Sequence, residues 1–76
     1  MYIKIENHTD NTTRIIDYPA DMSTFLWAHS FGMYNIAKIK TGVYELISRF
    51  DGSPFITVSK PGKREIADFE KEVKMV

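Results

Sequence analysis

Cysteine is missing altogether from the 76 residues, which excludes a disulfide framework, thiol catalysis and any cysteine-based zinc site. A small secreted scaffold is therefore not expected, since such scaffolds depend on covalent staples. Nor is there an excess of charge of either sign: Lys+Arg and Asp+Glu both number 10, so no global field recruits nucleic acid or anionic lipid. No apolar run approaches the about 20 residues of a membrane span. The opening Met1-Tyr2-Ile3-Lys4-Ile5-Glu6 has no long apolar segment of the signal-peptide kind. The expected location is the cytoplasm, without membrane association. Asn7-His8-Thr9 and Asn11-Thr12-Thr13 match the glycosylation acceptor pattern but read as turn residues.

What is present suits one thin-cored domain spanning residues 1–76. Hydrophobic residues make up 43% and aromatics 13%, ample for a core and contrary to disorder. Domains of this size bury roughly 60–65% of their unfolded surface, so a few large side chains must supply most of the burial. The candidates are Phe25, Leu26, Trp27, Tyr44, Leu46, Phe50, Phe55 and Phe69.

The pattern predicts an α+β domain in the order β-β-α-β-β-β-α, an antiparallel sheet packed with an internal helix and a C-terminal amphipathic helix. Residues 2–8 alternate, with Ile3 and Ile5 opposite Lys4 and Glu6, as a half-buried strand does. Residues 9–12 form a turn cluster, and 13–18 resume as the second arm of a hairpin that Pro19 ends. Asp21 or Ser23 can cap a helix over 22–31, and Gly32 can close it in the left-handed conformation. Strands over 35–40, 43–50 and 55–59 follow as a meander, joined at Thr41-Gly42 and Asp51-Gly52-Ser53-Pro54. In the strand at 43–50, Tyr44, Leu46, Ser48 and Phe50 share a face. Beyond Pro61-Gly62, Ile66, Phe69, Val73 and Val76 form one helical stripe, with Glu70 and Lys74 as an i,i+4 pair on the wet side.

Catalytic signatures are lacking. His29 and Ser30 are adjacent on a helix and point about 100° apart, so they form no nucleophile–base pair. His29 falls on the face expected to be buried, with Met22, Phe25, Leu26 and Ala28, and reads as a satisfied or edge histidine. His8, at a strand end, makes no metal motif with His29. Lys40-Thr41-Gly42 and Lys60-Pro61-Gly62-Lys63 lack the spacing of a phosphate-cradling loop. Asp68 and Glu72 share a helix face that they are expected simply to solvate. No enzyme activity, cofactor or metal is expected.

Two surfaces remain. The stretch 38–64 is basic, and Lys38, Lys40, Lys60, Lys63 and Arg64 near Tyr34, Tyr44 and Phe55 would suit a small nucleic-acid-binding domain, the alternative reading. On the first helix, Trp27 and Phe31 project away from the apolar side, among Ser23, Thr24 and Ser30. Either the stripe of Ile66, Phe69 and Val73 covers them, the expectation favoured for so small a core, or they stand open with Tyr34 as an anchor for a protein partner. The leading functional expectation is a small non-enzymatic protein-interaction module. Its partner would be another protein or a second copy, pairing for instance through the strand at Phe55–Ser59. Frequent isoleucine and scarce alanine fit an AT-rich genome, and with it a phage- or mobile-element-type accessory protein that modulates a host protein.

Overall fold

Three aspartates set the turns from which the fold grows. Asp10 Oδ1 accepts from the Thr12 N–H (3.1 Å) and hydroxyl (2.6 Å). Asp21 does the same for Thr24 at 2.8 and 2.7 Å, and Asp51 for Ser53 at 3.0 and 2.7 Å. A short carboxylate that bonds the backbone just ahead holds the chain out of regular structure at that point. A computed structural model describes residues 1–74 and contains β1 (Tyr2–Asn7), β2 (Thr12–Asp17), α1 (Met22–Ser30), β3 (Tyr34–Lys40), β4 (Val43–Ser48), β5 (Pro54–Ser59) and α2 (Lys63–Lys74), with the three aspartate turns following β1, β2 and β4. The expected α+β layout is met, with strand limits shifted by one or two residues. Val76 and the Lys74 side chain, parts of the expected stripe and ion pair, lie outside the described residues.

The five strands form one antiparallel sheet in the order β2-β1-β5-β4-β3. The two hairpin units join through β1 and β5, where Ile5 pairs with Val58 and Asn7 with Ile56. This makes β5 central. The expectation of a free edge at Phe55–Ser59 is therefore wrong; the edges are β2 and β3.

Side chains alternate across the sheet, and α1 packs on the face bearing Ile3, Ile5, Leu46, Ile56 and Val58. With Met22, Phe25 and Leu26 from the helix these are the buried core. Asp21 caps α1, as expected. The helix ends in a turn in which the Met33 N–H donates to the Ser30 carbonyl (3.2 Å), with Phe31 at φ −41°, ψ 94° and Gly32 at φ +70°. That is type II geometry, which favours glycine at its third position.

A bulge lies where Leu46 pairs with Ile56 but Ile47 with Pro54. Phe55 is the extra residue, and its ring turns onto the α1 face to stack on Tyr34, centroids 4.6 Å apart and planes 9° apart.

Helix α2 takes the opposite face, over β1 and β2. Phe69 meets Tyr2 edge-on at 5.6 Å, the Tyr2 hydroxyl donates to Glu70 (3.2 Å), and Lys4 pairs with Glu65. Glu65 also accepts from the Gly62 N–H (3.1 Å), satisfying one of the donors that the helix start leaves open.

Candidate protein-docking surface

With α2 on the far face of the sheet, it does not reach Trp27 and Phe31, and the favoured expectation that its stripe covers them fails. Trp27 is 71% exposed and Phe31 86%. The cause is geometric. Helix α1 turns Phe25 and Leu26 down onto the sheet, so Trp27 points off their flank, and Phe31 lies past the last helical residue. The crossover at Lys60-Pro61-Gly62 carries the chain to the other face, where the Lys4–Glu65 pair holds it. Trp27 thus leaves the list of core residues. So does Phe50, which is 86% exposed because β4 stops at Ser48 and the residue falls in the following turn. Ala28 and His29, expected on the buried side of α1, are exposed as well, and Ser30, expected on the open side with Trp27, is buried.

Trp27, Phe31 and Tyr34 come together: all three line one open pocket of about 370 Å³ with Ile36 and Arg49. Tyr34 is half-buried and its ring is engaged by Phe55, so it forms a wall of the pocket while Trp27 and Phe31 supply the open rings. A second pocket of about 240 Å³ lies between Met22, Leu26, Trp27, Ile36 and Tyr44. Trp27 and Ile36 line both, as a ridge between them.

The sequence pattern did not single out Met33, Ile36 or Arg49. Ile36 looks like an ordinary strand isoleucine. Only its place on an edge strand beside Trp27, 40% exposed, makes it part of the surface. Arg49 Nη1 donates to the Gly32 carbonyl (3.3 Å) and the Arg49 N–H to the Met33 carbonyl (3.1 Å), bracing the turn that presents Phe31.

The five cations of the alternative reading are all exposed. Lys38 and Lys40 lie on β3, Lys60 just past β5, and Lys63 and Arg64 in the first turn of α2. The register Lys40–Val43–Ser59 puts these positions at one end of the sheet. Tyr34, paired with Ser48, and Phe55 lie at the other end, stacked on each other. The cations are therefore not interleaved with stacking rings; Tyr44, half-buried, is the one aromatic of the three near them.

Both histidines are hydrogen-bonded. His29 Nδ1 donates to the Phe25 carbonyl (2.9 Å), and its ring stacks on Phe25 at 4.0 Å, the arrangement of a satisfied edge histidine. His8 Nε2 lies 2.6 Å from the Thr57 hydroxyl, which donates to Glu45 (3.3 Å). This relay brings an imidazole and a hydroxyl together, but the carboxylate bonds the hydroxyl and leaves the imidazole without the orienting partner that a nucleophile–base pair uses. Beyond α1 from the aromatic patch, a groove of about 390 Å³ has Ile5, Ile16 and Phe25 on its floor and Arg14 and His29 on its rim. Among the described residues no group of three or more His, Cys, Asp or Glu is placed to hold a metal ion. No helix among them is long and apolar enough to cross a membrane.

No protein-family model, curated protein or solved structure matches the chain.

Proposed function

We propose that the protein is a non-enzymatic interaction module that docks a partner protein on the surface formed by Trp27, Phe31, Ile36 and the wall of Tyr34. The observation that carries this reading is the exposure of a tryptophan and a phenylalanine side by side in a domain with a thin core. Leaving such rings in water forgoes burial worth roughly 1.5–3 kcal/mol for a large apolar side chain, and aromatic anchors at the centre of a patch are what dominate binding at interfaces. The composition suits an accessory protein of a phage or mobile element acting on a host protein.

Affinity capture with the wild type and with a Trp27→Ala/Phe31→Ala variant tests the proposal. A partner held by the wild type and lost by the variant, with thermal unfolding unchanged, supports it. A variant that unfolds, or that retains the partner, overturns it.

A further inference from the structure

We propose that β3 is an acceptor edge for an extended, acidic segment of the partner, which adds to the sheet as a sixth strand beside Trp27. This deepens the docking reading above and rests on it.

The backbone comes first. β3 ends the sheet, so half of its N–H and C=O groups face outward from β4. At seven residues it is the longest strand, the other four having six. Edge strands that need only stay soluble are usually short, covered, bulged or lined with lysine. β3 carries Lys38 and Lys40 with a register shift between them, yet it is neither short nor covered and leaves Ile36 and Ile39 40% and 55% exposed. β2, the other edge, bears no exposed large hydrophobic residue and is backed by α2.

The pockets fit the repeat of a strand. Along β3 one pocket lies beside Tyr34 and the other beside Tyr44, the residue paired with Lys38. An added strand turns alternate side chains to the α1 face, spaced about 6.7 Å for i,i+2 and about 13 Å for i,i+4. Apolar side chains at that spacing would straddle the Trp27–Ile36 ridge and enter both pockets. Main-chain hydrogen bonds would supply affinity and the pockets selectivity, as in other strand additions.

Charge decides the occupant. From Met22 to Tyr44 the chain contains no aspartate or glutamate, and that stretch builds α1 and β3. Lys38 and Lys40 stand on the strand and Arg49 lines the larger pocket. Among the described residues none of the three forms an ion pair. A second copy of β3 would bring the same lysines to a two-fold contact, like charge against like. An acidic strand meets them with opposite charge, which favours and steers the encounter.

The test uses the full chain and a phage library of random linear peptides. Enrichment of sequences that alternate apolar residues and carry Asp or Glu is expected. A synthetic peptide of the enriched sequence should bind about tenfold more weakly to Lys38→Glu/Lys40→Glu, and more weakly as salt rises. N-methylation of the peptide amides should abolish binding at alternate positions and spare those between. The inference is overturned by enrichment of proline-rich or basic sequences, or by no enrichment. Insensitivity to both the charge reversal and the N-methyl scan overturns it too, as does sedimentation showing a dimer that Ile36→Glu dissolves. Loss of the peptide in Trp27→Ala/Phe31→Ala reports on the docking reading separately. If that variant loses the peptide while charge reversal and N-methylation have no effect, the surface stands and strand addition falls.

Discussion

Lys4 Nζ on β1 and a carboxylate oxygen of Glu65 on α2 lie 2.9 Å apart, on the sheet face opposite α1. Because Glu65 also accepts from the Gly62 N–H, one side chain both starts the helix and attaches it to the sheet. Its two roles separate by substitution. Glu65→Gln keeps an acceptor for Gly62 and loses the charge toward Lys4; Glu65→Ala loses both. Thermal unfolding should show a lower midpoint for both variants, with alanine the lower. Amide exchange in the first turn of α2 should quicken in the same order. Raising the salt concentration should narrow the gap between wild type and Glu65→Gln, because the charge component is screened. Equal midpoints for wild type and alanine would remove Glu65 from any part in docking α2.

Phe25 and Trp27 are two residues apart on the same helix and make opposite predictions. Phe25 is almost fully buried, in edge contact with Tyr18 (5.2 Å) and stacked on His29. Truncation to alanine there should cost about 3–5 kcal/mol in urea unfolding. Trp27→Ala, at an exposed site, should fall within about 0.5 kcal/mol of wild type. A loss at Trp27 matching that at Phe25 would show the ring to be core in solution, and the docking surface would go with it.

The element order was readable because each segment carries its own period and its own stop. Ile3 and Ile5 alternate with charge, Asp21 caps, and the positive φ of Gly32, Gly42 and Gly52 falls at turns. Which face α2 would take was not readable in this way. A stripe of Ile66, Phe69 and Val73 needs an apolar surface but does not name one; Trp27 and Phe31 were the surface expected, and Tyr2 lies on the one taken. The choice depended on β1 pairing with β5, a contact between distant segments that no local pattern records. The candidate docking surface was half legible for the same reason. Trp27 and Phe31 stood out as aromatics on a polar side, whereas Ile36 and Arg49 joined them only once β3 proved to be an edge.

Gly32 sits at φ +70° with open space where a Cβ would stand. The cost of Gly32→Ala is therefore conformational, with no steric part, and should be about 1–2 kcal/mol for an L-residue in the left-handed region. Gly32→Asn should cost less, since asparagine tolerates that region. Urea unfolding would rank the three. If alanine matched glycine, the turn that presents Phe31 would not require positive φ in solution.

The side-chain hydrogen bonds from Thr12, Thr24 and Ser53 hold the carboxyls of Asp10, Asp21 and Asp51 below the usual aspartate range, and Lys4 does the same for Glu65. Between the folded and unfolded pKa of such a group, the unfolded chain binds more protons, so stability rises with pH across that interval. The contribution is complete above the unfolded carboxylate range, about 4, and is lost as pH falls through the folded values. The Lys4 ammonium behaves oppositely. Its hydrogen bond to Glu65 raises its pKa, so its contribution is complete below the unfolded lysine value of about 10.4 and is lost above it. Urea unfolding as a function of pH should show a plateau with an acid limb below about pH 4. Asp10→Asn/Asp51→Asn should be less stable than wild type at neutral pH, and that difference should shrink as the acid limb is descended. An unchanged gap down to the bottom of the limb would mean that these two turns contribute through shape alone, and that their carboxylate charge does not stabilise the fold.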